Sequence, residues 1–195
     1  MSVFVIGLTG AAGSGKSTVA QYIVEEWGGH RRPFAGPLKR MLQTFLQDQG
    51  AGFNAALRMV TGDLKEVATD YLGGRTPREA MQTLGTEWGR ELSPDLWVDA
   101  WRRSVEQCEL PFSADGETAL IVADDVRFPN EVAAIRALGG IIVRIDRPDA
   151  GLAGAAGQHA SERGGLGEPD MTIANIGDLA QLGMCVDMIV AGVLA

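Results

Sequence analysis

The chain has 195 residues, 46% of them hydrophobic, which fits one folded domain with a sizeable core and argues against global disorder. Acidic residues outnumber basic ones by 25 to 17. The resulting net charge of −8 argues against a nucleic-acid backbone as partner, because binding one needs a clustered basic surface.

The N-terminal third predicts a strand, a glycine-rich turn and two helices. An apolar run, SVFVIGL, predicts a buried parallel strand over 2–8, and no basic stretch precedes it as in a signal peptide. Apolar residues recur at helical spacing over 16–27 and again over 38–47. Between them, HRRPFAGP (30–37) is typical of a short strand and turn.

The middle of the chain, from about 54 to 107, predicts several helices broken at TGD, GGRTP and LSPDL. Pro77 suits the first turn of one helix, Thr76 suits its N-cap, and Glu79 stands where a capping box is completed.

Cys108 and Cys185 lack metal-ligand spacing and are typical of reduced thiols in a cytoplasmic protein.

The last third predicts strands that alternate with helices: strands over 118–126, 141–147 and 171–175, and helices over 127–140 and 176–194. This alternation predicts a three-layer α/β/α fold with a parallel sheet covered on both faces. The C-terminal apolar run MCVDMIVAGVLA (184–195) is too short for a membrane span and is interrupted by Asp187, so no membrane partner is expected. The glycine-rich stretch 148–169 is interpreted as a lid over an active site rather than a linker, because a strand and a helix follow it.

Residues 10–17, GAAGSGKS, match the phosphate-binding pattern GxxxxGK[ST] between a predicted strand and a predicted helix. Glycines let backbone N–H groups point at phosphate oxygens, and a helix N-terminus adds partial positive charge. Lys16 is expected to reach the β- and γ-phosphates, and Ser17 to bind Mg²⁺. The predicted ATP-binding residues of this P-loop are Ala11, Ala12, Gly13, Ser14, Gly15, Lys16, Ser17 and Thr18.

A magnesium site in a P-loop protein needs an acidic partner at the end of a neighbouring strand. Asp124 and Asp125 occupy such a strand end, and adjacent strand residues face opposite sides, so the two carboxylates should differ in role. Ser17 and Asp124 are the predicted metal ligands, although the pattern alone does not decide between the two aspartates.

A P-loop by itself fits ATPases, GTPases, kinases and transport motors. The chain has no NKxD base-reading motif of GTPases and is short for a motor core, which favours a small-molecule kinase. Such an enzyme needs a second anion site built from arginines. The candidates are Arg75, Arg78, Arg90, Arg127, Arg144 and Arg147; Arg127 and Arg147 follow strand ends, where sheets of this class bind ligands, and Arg144 is assigned to ATP.

Seven segments follow the P-loop in order: FAGPLK (34–39), KE (65–66), TPREAMQTLGTEWGR (76–90), Trp97, DDVRFPNE (124–131), RIDRP (144–148) and HASE (159–162). Together they resemble the phage-type deoxynucleoside monophosphate kinases over most of the chain. The resemblance implies the nucleoside-monophosphate-kinase version of the P-loop fold. It also implies transfer of the γ-phosphate of Mg-ATP to a deoxynucleoside monophosphate for DNA precursor supply, and a homodimer is expected from it.

The same resemblance implies the roles of individual residues. Lys16, Asp125, Arg127 and Arg147 are the expected catalytic residues, with Asp125 and Arg127 between donor and acceptor. The expected substrate contacts are Lys39, Arg78, Gln82, Arg90, Trp97, Asp125, Arg127, His159 and Glu162. For the last two, anchoring of the lid and a plain structural role stay open as alternatives. Two positions depart from the family pattern: Gly36 replaces a frequent acidic residue, which puts an acidic role there in doubt, and Ser17 replaces a common aspartate.

These assignments divide the chain into a core (about 1–36, 118–147 and 170–195), a helical acceptor-binding insertion (about 37–110) and the lid (about 148–169). Two alternatives stay open. The stretch GLTGAAGSGKS also resembles dephospho-coenzyme A kinases, although LGTEWGR and DVRFPNE favour the deoxynucleotide enzymes. A nucleotide-binding regulator without transfer activity is the other alternative, and the number of arginines near the expected acceptor site argues against it.

Overall fold

The computed structural model describes residues 3–106, 118–148, 150–151 and 166–194. Cys108, His159, Glu162 and most of the predicted lid lie outside these ranges. The chain divides into two compact units, the sheet unit (Met1–Phe34 with Arg102–Ala195) and the helical unit (Ala35–Trp101).

The regular elements follow one another in this order: β1 (Val3–Thr9), α1 (Lys16–Trp27), β2 (His30–Arg31), α2 (Gly36–Asp48), α3 (Phe53–Thr61), α4 (Pro77–Gln82), α5 (Gly89–Leu92), α6 (Leu96–Glu106), β3 (Ala119–Ala123), α7 (Pro129–Ala137), β4 (Ile141–Asp146), β5 (Met171–Ala174) and α8 (Leu179–Leu194). Short 3₁₀ turns occupy Asp63–Glu66 and Asp70–Leu72, and a π-helical segment, Thr83–Trp88, joins α4 to α5.

The sheet unit contains a five-stranded sheet in the order β2-β3-β1-β4-β5, with every neighbouring pair parallel. The parallel sheet predicted from the alternating pattern is therefore confirmed. β1 lies between β3 and β4, so the loop that follows β1 starts at the middle of the sheet's carboxyl edge. Ligands of open α/β sheets bind at this edge.

Side chains alternate along β1, so its residues contact helices on both faces of this sheet. Ile6 and Leu8 belong to a buried cluster with residues of α1 and α8. Gly7, between them, faces the other way: a Cβ added there would lie 2.5 Å from Ile135 of α7. The result is the predicted three-layer α/β/α arrangement, and glycine at position 7 lets α7 pack close to β1.

Asp187 is the charged residue that interrupts the apolar run of the closing helix. In the structure its carboxylate accepts hydrogen bonds from the Tyr22 hydroxyl (3.0 and 3.1 Å) and from the Trp27 indole N–H (2.9 Å). It therefore joins α8 to α1 within the sheet unit. No helix in the described parts of the chain combines the length and apolarity needed to cross a bilayer.

The helical unit has its own core, formed by Leu42, Leu46, Ala51, Ala56, Met59 and Val60. The predicted capping box at the start of α4 is confirmed: Glu79 N donates to Thr76 Oγ1 (3.2 Å), and Thr76 N donates to Glu79 Oε2 (2.8 Å). The backbone N–H of Thr76, followed by its hydroxyl, lowers the pKa of the Glu79 carboxyl.

Candidate active site

Three glycines shape the P-loop, the turn between β1 and α1. Gly10, Gly13 and Gly15 have φ values of +134°, +79° and +107°, conformations that other residues rarely adopt. A Cβ at Gly10 would lie 2.3 Å from the carbonyl oxygen of Ile145, and one at Gly15 would lie 2.6 Å from Asn175 Nδ2. The cradle therefore requires glycine at both positions for shape as well as for dihedral angles.

Lys16 begins α1, and its ammonium group turns back over the loop. Nζ donates to the carbonyl oxygens of Gly10 (2.8 Å) and Ala11 (2.7 Å). Burial, followed by the nearby positive charge of Arg127, lowers the pKa of Lys16 from 10.5 to about 8, whereas Asp124 and Asp125 act in the opposite direction. The predicted catalytic lysine, one predicted catalytic arginine and both strand-end aspartates therefore interact electrostatically.

The two aspartates after β3 contact different partners, as strand alternation predicts. Asp124 is 5% exposed, and its Oδ2 accepts a hydrogen bond from Ser17 Oγ at 3.2 Å. Asp125 Oδ1 instead accepts from the backbone N–H of Phe34 at 2.8 Å. The structure thus brings Ser17 and Asp124, the two predicted metal ligands, into contact.

Arg31 also binds Asp124, and the sequence analysis did not identify it. Its Nε donates to Asp124 Oδ1 at 2.9 Å, its Nη2 forms an ion pair with Asp124 Oδ2, and the same Nη2 lies 3.4 Å from Ser17 Oγ. A signal was present, because Arg31 ends β2 at the edge of the sheet where ligands bind.

Asn175 is a second residue that the sequence analysis missed. It follows β5 directly, and its Nδ2 donates to the carbonyl oxygen of Ser14 at 2.8 Å. Its own backbone N–H donates to Asp146 at the end of β4 (2.7 Å). Asn175 therefore ties the P-loop to the neighbouring strand ends. The Ser14 hydroxyl beside it is buried and has no protein partner in the described structure.

Arg127 is positioned by Glu131, which is 3% exposed. Glu131 Oε2 accepts hydrogen bonds from the backbone N–H groups of Arg127 (2.7 Å) and Phe128 (3.1 Å) just before α7. The DVRFPNE motif thus contains its own helix cap, with Pro129 as the first helical residue.

The other predicted donor-side residues lie around the P-loop helix and β4. Thr18 is exposed next to Ser17 on the first turn of α1, and Ala11 accepts a hydrogen bond from Ser14 N within the loop (3.2 Å). Arg144 is exposed on β4 and pairs with Asp146 at 3.0 Å, and Arg147 is exposed just after the strand. The roles of Arg144 and Arg147 towards ATP stay predictions.

The predicted acceptor-side residues lie in the helical unit. Arg78 pairs with Glu66, and its side chain is 19% exposed. Gln82, four residues further along α4, has a buried Nε2 without a hydrogen-bond partner in the described structure. Arg90 Nη1 donates to the carbonyl oxygen of Pro94 at 3.0 Å, and Lys39 is half-buried on α2.

Trp97 has a structural environment within the same unit. It is 5% exposed, its indole N–H donates to the Gly85 carbonyl at 2.8 Å, and a Cβ at Gly89 would lie 2.4 Å from its Nε1. The contacts of Trp97 in the structure therefore hold α6 against the π-helical segment and α5. Its predicted contact with the substrate stays a prediction.

Comparison with curated proteins identifies the family. A protein of Acanthamoeba polyphaga mimivirus, provisionally named deoxynucleotide monophosphate kinase, is 33% identical over 148 residues, which is 73% of this chain and 74% of that protein. The chain belongs to the deoxynucleotide monophosphate kinase family. No family model matches the chain.

One solved structure has a similar fold. The crystal structure of TT1252 from Thermus thermophilus aligns over the full length of both chains, with a TM-score of 0.57 and 17% identity. The protein is an α/β P-loop kinase, so it is a phosphotransferase and the non-catalytic regulator is set aside. In this kinase the motif residues of the sheet unit converge at one edge of the sheet, whereas His159 and Glu162 lie outside the described ranges.

Proposed function

We propose that this kinase transfers the γ-phosphoryl group of Mg-ATP to the 5′-phosphate of a deoxynucleoside monophosphate, giving the diphosphate and ADP. The observation that carries the proposal is that Lys16 interacts electrostatically with Arg127 and with both strand-end aspartates beside the P-loop. One of these aspartates, Asp124, also accepts a hydrogen bond from Ser17. The provisional name of the mimivirus relative supports the choice of acceptor. We place the reaction in DNA precursor supply in the cytoplasm.

The donor half of the proposal uses groups that suit a magnesium nucleotide. Backbone N–H groups of residues 11–18 would bind the phosphates, and the unpartnered Ser14 hydroxyl lies within this cradle. Ser17 Oγ and Asp124 Oδ2 are 3.2 Å apart and offer the oxygen ligands that Mg²⁺ prefers. They would hold the ion, which would supply positive charge to offset that of the nucleotide phosphates. Within the described residues, no cluster of three or more His, Cys, Asp or Glu side chains could hold a metal ion.

The transfer step requires positioning and charge neutralisation more than proton chemistry. Lys16, Arg127 and Arg147 would stabilise the charge that develops on the transferred group, and Asp125 would fix the chain before Arg127 through the Phe34 backbone. The acceptor phosphate is already anionic, so no general base is needed. The lid residues His159 and Glu162 would contact the substrate or anchor the lid.

The acceptor half rests on side chains of the helical unit. Arg78 and Arg90 would clamp the acceptor phosphate, because guanidinium groups bind phosphate in a bidentate manner. Gln82 Nε2 is buried and has no hydrogen-bond partner among the described residues, which suits a hydrogen bond to a base or sugar. Lys39 and Trp97 complete the proposed acceptor set. Arg78 already forms an ion pair with Glu66, so an acceptor phosphate would compete with Glu66 for this guanidinium.

Release of ADP across a panel of deoxynucleoside and ribonucleoside monophosphates tests the proposal, with dephospho-coenzyme A as an additional acceptor. We expect release with at least one deoxynucleoside monophosphate and none with dephospho-coenzyme A. The reverse pattern would move the chain to the dephospho-coenzyme A kinases.

Two arginine variants of the sheet unit test the assigned site residues. Arg127→Ala should lower turnover by roughly 10³-fold or more, the scale of charge-stabilising arginines in phosphoryl transfer. Arg136→Ala removes an exposed arginine that pairs with Asp170, and it should leave turnover near that of the parent protein. Equal activity of the two variants would show that Arg127 has no special role.

A further inference from the structure

Arg31 contacts both side chains that are proposed to bind the magnesium ion. Its guanidinium contacts both oxygens of the Asp124 carboxylate and lies 3.4 Å from Ser17 Oγ. Asp124 is buried, whereas the Arg31 side chain is 37% exposed. One partner of this ion pair is therefore fixed in the core and the other reaches it from the surface.

A magnesium ion held by Ser17 Oγ and Asp124 Oδ2 would use the same oxygen atoms that Arg31 Nη2 now contacts. Two cations at one carboxylate oxygen repel each other strongly, so the ion and the guanidinium compete for that atom.

We infer that Arg31 occupies Asp124 Oδ2 whenever no magnesium ion is bound there and moves away from this oxygen when the ion binds. The exchange would keep a cation beside Asp124 with or without magnesium, and a buried carboxylate without a cation is strongly destabilising. Arg31 is thus a positioning residue: it holds the Asp124 carboxylate in contact with Ser17 until the metal arrives. This inference rests on the proposed function for the presence of magnesium, but it can be tested without turnover.

Thermal unfolding of Arg31→Gln, with chelator and with Mg²⁺ alone, tests the exchange. In chelator the variant should unfold at a lower temperature than the parent protein, because Asp124 has lost its cation. Added Mg²⁺ should remove most of this deficit. The dissociation constant of Mg²⁺, from the dependence of the unfolding midpoint on its concentration, should be at least about tenfold lower than in the parent protein.

Two further variants complete the design. Arg31→Lys keeps the charge without the fork that spans both carboxylate oxygens, so its Mg²⁺ affinity should be intermediate. Arg136→Gln removes an ion-paired arginine of the same unit, and its Mg²⁺ response should equal that of the parent protein. Adding Asp124→Asn to Arg31→Gln should abolish the enhanced response.

A deficit that Mg²⁺ does not reduce would overturn the inference, since it would make Arg31 a purely structural partner of Asp124. Unchanged or weaker Mg²⁺ binding in Arg31→Gln would overturn it as well. The proposed function fails by a different result: a parent protein that releases no ADP with any deoxynucleoside monophosphate. Tighter Mg²⁺ binding in Arg31→Gln would stand even then, because it is measured on the free protein.

Discussion

The protonation of Lys16 makes nucleotide binding depend on pH. Burial, with the help of Arg127, lowers the pKa of Lys16 to about 8 in the empty kinase. A bound phosphate would place negative charge beside Nζ, which favours the charged form and raises this pKa. Above pH 8 the free protein has lost the proton that the complex needs, so binding takes up a proton. Affinity should therefore fall as pH rises through 8.

The size of the effect follows from the titration curve. With a pKa of about 8, the protonated fraction of Lys16 is about 0.9 at pH 7 and about 0.1 at pH 9. The affinity for ADP should thus fall roughly tenfold over these two pH units, a loss of about 1.4 kcal/mol. Ionisation of the terminal phosphate lies near pH 6 and changes little over this range.

Isothermal titration calorimetry with ADP at pH 7, 8 and 9 measures this dependence. Two buffers with different ionisation enthalpies report the proton uptake, which should approach one proton per ADP at pH 9. Lys16→Arg is the matched control, because a guanidinium stays charged throughout and should remove the uptake. Parent-protein affinity that is flat from pH 7 to 9, without proton uptake, would refute the reasoning.

Three other predictions concern the framework of the site. Gly28 has a left-handed backbone (φ +64°) with open space around it, so Gly28→Ala should lower the free energy of unfolding by about 1–2 kcal/mol and leave ADP affinity unchanged. Gly10→Ala adds a collision with the Ile145 backbone, so it should also lower ADP affinity in the same calorimetric assay. Glu131→Gln weakens the charge-assisted cap before α7, so it should lower the free energy of unfolding by about 1–2 kcal/mol in denaturant titration. Because Glu131 positions the Arg127 backbone, the variant should also reduce kcat more than it changes KM. Asp187→Asn should lower the unfolding midpoint and, in a spectrophotometric titration, bring the raised pKa of Tyr22 back towards 10 while kcat is unchanged.

Features with a local physical cause were predictable from the sequence. The capping box of α4 needs only Thr76, Pro77 and Glu79, all within one helical turn. The strands were recognisable because parallel strands buried on both faces are continuous apolar runs. The π-helical turn at Thr83–Trp88 was not recognised, because its apolar spacing does not differ enough from that of an α-helix.

The contacts that complete the site were missed because they join residues distant in sequence. Arg31 and Asp124 are 93 positions apart, and Asn175 and Ser14 are 161 apart. These contacts exist because β2 and β3 are neighbours and β4 and β5 continue the same sheet, an order that no local pattern specifies. The rule that singled out Arg127, a polar residue at the carboxyl end of a strand, applies equally to Arg31 and Asn175.

The local charge of the site explains how an acidic kinase can bind a polyanion. Around the P-loop, the cations Lys16, Arg31 and Arg127 face the carboxylates Asp124 and Asp125, which leaves one net positive charge in a chain of net charge −8. Burial is the larger cause of the lowered pKa of Lys16, and the positive charge of Arg127 adds to it, so a further cation nearby would disfavour the charged form of Lys16. If Arg31 leaves Asp124 Oδ2 when magnesium enters, the ion replaces the guanidinium at this carboxylate, and the nucleotide phosphates add negative charge beside it. The exchange at Asp124 therefore keeps the site close to balance both before and after the substrate binds.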